Sequence, residues 1–187
     1  LVLLVAEGRQ TTGPIRRYGI DRFAKAHPGW SEADLKVLDE ESFGPHLALR
    51  YHPFAAYRTP AVAGRFVNVA EPGYRRHRDL PWPPPVGGCT VFLFGGSTAF
   101  GLALSDGEGL GAALDREIRD LVDPSCAVYN FSVPAHFSST EQGLLLDLLR
   151  EGAQPRLAIF VDGMNDLVYP DGRPEMFNFL DHVVSRR

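Results

Sequence analysis

The chain has 187 residues, 44% of them hydrophobic, which is enough for one domain with a buried core, or slightly more. Its 19 Lys and Arg against 23 Asp and Glu leave a formal net charge of −4, with no basic stripe of the kind a nucleic-acid binder needs. Cys89 and Cys126 belong to no Cys-x-x-Cys or His/Cys cluster, so no metal and no other cofactor is expected; both read as buried small hydrophobes, with a disulfide as the second reading.

Residues 1–6, Leu-Val-Leu-Leu-Val-Ala, are apolar and uncharged. So short a run cannot cross a bilayer, which takes about 20 residues. It is expected to be the end of a membrane anchor, with Glu7, Arg9, Arg16 and Arg17 at or beyond the interface; a buried strand or an ordinary helix start is the other reading. An anchored chain follows from the first, with the extracytoplasmic (periplasmic) side favoured but not fixed by these residues. Residues 7–80 read as an irregular extension. Within it, Ser31 is placed to cap a helix through Leu38, and 51–54 and 64–69 are short extended pieces broken by Pro and Gly. Residues 81–88, Pro-Trp-Pro-Pro-Pro-Val-Gly-Gly, read as a stiff linker and the internal boundary.

From 89 to 187 the pattern becomes alternating strands and helices. The near-continuous apolar run from Cys89 to Phe94 reads as a strand buried on both faces. Ser105-Asp106-Gly107-Glu108 reads as a capping box for a helix whose stripe is Leu110, Leu114, Ile118 and Leu121, stopped by Pro124. Ala127–Phe131 is the second strand. Ser138-Ser139-Thr140-Glu141 is a second capping box, ahead of Leu144, Leu145, Leu148 and Leu149. Arg156–Val161 is the third strand. The expected fold is α/β, a partial parallel sheet with helices on both faces, reactive at the carboxyl ends of its strands.

Each strand is followed by a loop with polar residues suited to acyl transfer. Gly95-Gly96 turn the chain sharply and present Ser97, a weak nucleophile unless a base is near. The second loop runs from Asn130 through Ser132 to His136. The third is Asp162-Gly163-Met164-Asn165-Asp166, in which the Asn165 amide is a neutral donor able to face an oxyanion. Plain turn chemistry is the alternative reading of both Ser97 and Asn165, and Asp166 reads as a helix cap or loop brace. The glycines fit neither the dinucleotide fingerprint nor the P-loop.

Phe94-Gly95-Gly96-Ser97-Thr98 resembles the first block of SGNH (GDSL) hydrolases, Gly163-Met164-Asn165-Asp166 their Gly-x-Asn-Asp block, and Asn130 through Ala135 the block between. The segments from Tyr51 and from Asn68 look like the lead-in of membrane-anchored or exported members, so the resemblance covers about residues 50–170. It implies a flavodoxin-like fold, Ser97 as nucleophile, Asn165 and the backbone N–H near Ser132 as oxyanion donors, a small acyl-ester substrate, and no metal. This chain departs from the family at Gly96, where Asp is usual, and at Ser132 and Ala135, where Gly is usual. The family's Asp-x-x-His base block is missing. His27, His46, His52, His77, His136 and His182 are preceded three residues earlier by Ala24, Phe43, Leu49, Tyr74, Val133 and Phe179. His136, in the second loop near the strand ends, is the one plausible in-chain substitute for the base, but reads rather as a pocket-wall or surface residue. Two functions stay open: a serine ester hydrolase or acyl-transfer domain of doubtful activity in this chain, or a non-catalytic structural or docking subunit whose open sheet edge a membrane protein partner covers.

Overall fold

The computed structural model describes residues 13–44, 47–161 and 165–166. The apolar run at 1–6, His46, Asp162-Gly163-Met164 and His182 lie outside the described residues. Three helices come first: α1 (Pro14–Tyr18), α2 (Ile20–Ala26) and α3 (Glu32–Phe43). Helix α3 starts where its cap residue predicts, with Ser31 Oγ accepting the Asp34 N–H at 3.1 Å. Leu35 and Leu38 turn inward and pack with Phe23, Val67, Val69 and Phe100 in a satellite core.

Six short strands follow: a separate hairpin of β1 (Arg50–His52) and β2 (Ala56–Arg58), then β3 (Val62–Ala63), β4 (Asn68–Ala70), β5 (Tyr74–Arg75) and β6 (Thr90–Gly95). Next come α4 (Ser97–Phe100), α5 (Leu110–Leu121), β7 (Ala127–Asn130), α6 (Ser138–Arg150) and β8 (Leu157–Val161). The main sheet runs β3-β4-β5-β7-β6-β8. The three strands expected from 89 onward are adjacent, with β6 central and parallel to both β7 and β8. The sheet as a whole is mixed rather than parallel. The extension supplies an antiparallel meander, β3-β4-β5, which joins β7 through the pair Arg75 and Asn130.

Strand β6 is buried along its whole length because it is covered twice. Phe92 and Phe94 pack with Tyr129, Phe131 and α6 residues Leu144 and Leu148 on one face; Val91 and Leu93 pack with Val128, Leu114 and Ile118 of α5 on the other. The stretch 81–88 connects β5 to β6 within this one sheet. Its Trp82 ring lies 5.5 Å from Phe131 and 5.9 Å from Tyr129, and Pro81 O accepts the Tyr129 hydroxyl at 2.7 Å.

Both proposed capping boxes are placed differently. Ser105 and Glu108 close a turn on themselves (Ser105 Oγ to Glu108 Oε2, 2.7 Å), while helix α5 begins at Leu110 after Gly109. The Asp106 carboxylate is engaged by Asn68 and Arg75, which keeps the turn out of the helix. The α5 stripe packs only in its middle: Leu110 and Leu121 are exposed, and Gly111, Ala112 and Asp115 are the buried positions. In α6 the cap residue is Phe137, and Thr140, not Glu141, supplies the reciprocal contact, its Oγ1 accepting the Phe137 N–H at 3.0 Å.

Cys89 and Cys126 are bonded to each other, which corrects their reading as free apolar residues. Each precedes a strand, and because β6 and β7 are parallel neighbours their starts lie side by side. Arg78 braces the same end, with Nε donating to Asp115 Oδ2 at 2.8 Å and Nη2 donating to Asp115 Oδ1 at 3.0 Å and to the Cys126 carbonyl at 3.1 Å. Among the described residues no helix is long and apolar enough to cross a membrane.

Candidate active site

Ser97, Ser132 and Asn165 all follow the carboxyl ends of parallel strands, so they lie along one edge of the sheet, opposite the disulfide. Ser97 opens the single turn of α4 and is half-buried. The two glycines before it are demanded by close approach. A Cβ on Gly95 would press against Ala99 and the Val161 carbonyl, and one on Gly96 would fall inside the Asn165 amide. Any side chain at that position would have to displace the Asn165 amide.

Asn165 is tied to the second loop: Nδ2 donates to the His136 carbonyl at 2.5 Å. An amide has two N–H donors, so one remains after this bond is made. Asp166 serves as a brace, its Oδ1 accepting the Ser138 N–H at 3.2 Å at the start of α6.

The second loop is held more tightly than the sequence suggests. Ser132 is fully buried, and its N–H donates to Asn130 Oδ1 at 3.1 Å, so the implied oxyanion donor is engaged within the chain. Its Oγ has no hydrogen-bond partner among the described residues. Val133 N–H donates to Gly95 O at 2.9 Å, locking this loop to the first one. Ala135 adopts a φ of 67°. That left-handed backbone is costly for a residue with a Cβ.

His136 does not reach Ser97. Its Nε2 donates to the Tyr57 carbonyl at 2.9 Å, which fixes the proton there and leaves Nδ1 an acceptor without a partner among the described residues. The ring packs edge-on against Tyr57, and burial pushes its pKa down to about 4. The Tyr57 hydroxyl donates to Ala135 O at 2.8 Å, so one hairpin residue holds two successive residues of the loop. The hairpin is itself latched to α6, where His52 Nε2 lies 3.1 Å from Asp147 Oδ2 and Arg58 flanks the pair. The sequence carries no signal for these contacts, since Tyr57 and His52 sit in a stretch with neither a helical nor a clean alternating pattern.

Among the described residues one group of ligand-type side chains is close enough to hold a metal, Cys89, Asp123 and Cys126, and its sulfurs are joined to each other. No family model and no curated protein matches the chain.

Proposed function

We propose that the chain carries the nucleophile half of an SGNH-type serine ester hydrolase or acyl-transfer domain, with Ser97 attacking an acyl ester. Asn165 faces the developing oxyanion, and the second loop around Ser132 stands at the same carboxyl end of the sheet. The observation that carries this reading is the Asn165 amide standing over Gly96, next to Ser97, at the end of the adjacent strand. Preorganised donors beside a nucleophile are what acyl transfer needs. The disulfide favours an oxidising compartment, which supports an extracytoplasmic location.

A second reading is a non-catalytic relative that docks on a membrane protein. His136, in the second loop, is engaged by the Tyr57 carbonyl, and the edge strand β8 exposes Leu157, Phe160 and Val161. The deciding experiment is turnover of a short-chain aryl ester by the product of the full open reading frame, beside its Ser97→Ala variant. Turnover that depends on Ser97 supports the enzyme. Equal rates for the two proteins would overturn it in favour of the docking subunit.

A further inference from the structure

We propose that Arg75 is a positioning residue for the Ser97 turn, acting with Asn130 as a clamp on the carbonyl end of helix α4; the role rests on the serine-hydrolase reading above. Helix α4 is four residues long, and among the described residues no backbone N–H meets Ala99 O or Phe100 O, while Gly101 O accepts the Leu104 N–H at 3.0 Å. They are met from the sheet. Asn130 Nδ2 donates to Ala99 O at 2.8 Å. Arg75 Nη1 donates to Phe100 O and Gly101 O at 3.3 and 3.2 Å, and Nη2 donates to Leu104 O at 2.7 Å. Arg75 and Asn130 are direct cross-strand partners of β5 and β7, so the sheet register itself brings the two clamping side chains together.

Arg75 is nearly fully buried, at 4% exposure, and its third donor, Nε, pairs with Asp106 Oδ1 at 2.8 Å. Neutralising Asp106 would need only that contact. Both Nη nitrogens are instead spent on backbone carbonyls of residues 100–104, and the guanidinium carbon lies 4.8 Å over the Phe100 ring. A planar fork can serve all of these directions at once, which a lysine ammonium cannot.

The clamped segment reports directly to the nucleophile. Ser97 O accepts the N–H groups of Gly101 and Leu102 at 3.1 and 3.0 Å, so a shift at 101–102 moves Ser97. Asn130 also links the turn to the second loop, because its Oδ1 holds the Ser132 N–H. Gly111 of α5 provides the room, since a Cβ there would press on the Asn130 side chain.

The test uses the product of the full open reading frame and its Arg75→Lys variant, assayed below the variant's own melting transition. Amide exchange is followed across residues 97–104 and across β6 and β7. Exchange should quicken selectively in 97–104. For a short-chain aryl ester kcat should fall about tenfold or more while KM and the pH profile stay unchanged, as for a misplaced nucleophile beside an intact base. If Arg75→Lys does not fold, Asn130→Asp carries the same measurements, because it removes the donor to Ala99 O and leaves an acceptor for Ser132. Exchange that rises uniformly, or not at all, overturns the clamp. So does selective exchange with unchanged kcat. Wild type and Ser97→Ala turning over alike would sink the hydrolase reading itself, a separate and recognisable failure that takes the positioning role with it.

Discussion

Asn165 reaches the His136 carbonyl from directly over Gly96, and the absence of a side chain at 96 is what lets it do so. Gly96→Ala should therefore displace the amide. The expected cost is about 1–3 kcal/mol of overpacking, read by denaturant unfolding. The side-chain amide resonances of Asn165 should shift as the bond to His136 lengthens. A Gly96→Ala protein with unchanged Asn165 resonances would contradict the placement of that side chain.

Ala135 offers the opposite kind of change. Its φ of 67° sits in the region where a Cβ is strained. Ala135→Gly should stabilise the protein by about 0.5 kcal/mol, the relief of left-handed strain less the extra freedom Gly gains when unfolded. Thermal unfolding in parallel with wild type measures it. A destabilised variant would mean that the Cβ makes packing contacts worth more than the strain.

What was legible in the sequence follows from how local each signal is. Strand β6 announces itself because a strand covered on both faces must be apolar throughout. Ser31 caps α3 because its partner is three residues away. At 105 the same residue types make a turn, and a distant group decides it; at 138 the helix starts where expected, but its cap is Phe137, one residue earlier. Asp106 is taken by Arg75 and Asn68, which no local pattern reveals. The short extended pieces at 51–54 and 64–69 give no sign of a meander because β3 and β5 are two residues long, and the meander's place in the sheet depends on the distant pair Arg75 and Asn130. Arg75 is buried, which nothing local in its segment reveals. That the loops after the three parallel strands come to one end of the sheet is legible because β-α-β connection brings successive strand ends to one edge.

The disulfide closes a loop from Cys89 to Cys126, a separation of 37 residues. By the loop-entropy account its loss should cost roughly 3–4 kcal/mol. Cys89→Ser with Cys126→Ser, or reduction, should lower the melting temperature. Because the bond lies at the amino end of the sheet, Ser97-dependent turnover at low temperature should be unaffected. Loss of turnover without loss of fold would show that the two ends are coupled.

Acid should weaken the hairpin's hold on the second loop. Burial pushes His136 down to about 4 from an ordinary value near 6.5, and burial together with Arg58 also lowers His52. A histidine with a depressed pKa in the folded state contributes fully above the unfolded value. The contribution is then lost as pH falls through that window toward the folded value. For His136 alone the loss is up to roughly 3 kcal/mol between about pH 6.5 and 4. Denaturant unfolding at a series of pH values tests this. His136→Gln should flatten the profile, since a neutral amide does not titrate.

The same substitution examines the catalytic role of His136. A serine nucleophile needs its base within hydrogen-bond reach. His136 spends Nε2 on the Tyr57 carbonyl, and its buried Nδ1 meets no partner among the described residues, Ser97 included. The 187-residue chain should therefore hydrolyse a short-chain aryl ester only slowly, because loss of the base costs orders of magnitude even when oxyanion donors remain. His136→Gln should leave that slow rate within about twofold while lowering stability by about 1–3 kcal/mol, the penalty for disturbing a buried hydrogen bond. Fast, Ser97-dependent turnover by the chain that His136→Gln abolishes would make His136 the base. It would also require the ring to leave Tyr57 in solution, a movement that the Tyr57 and His136 resonances would report.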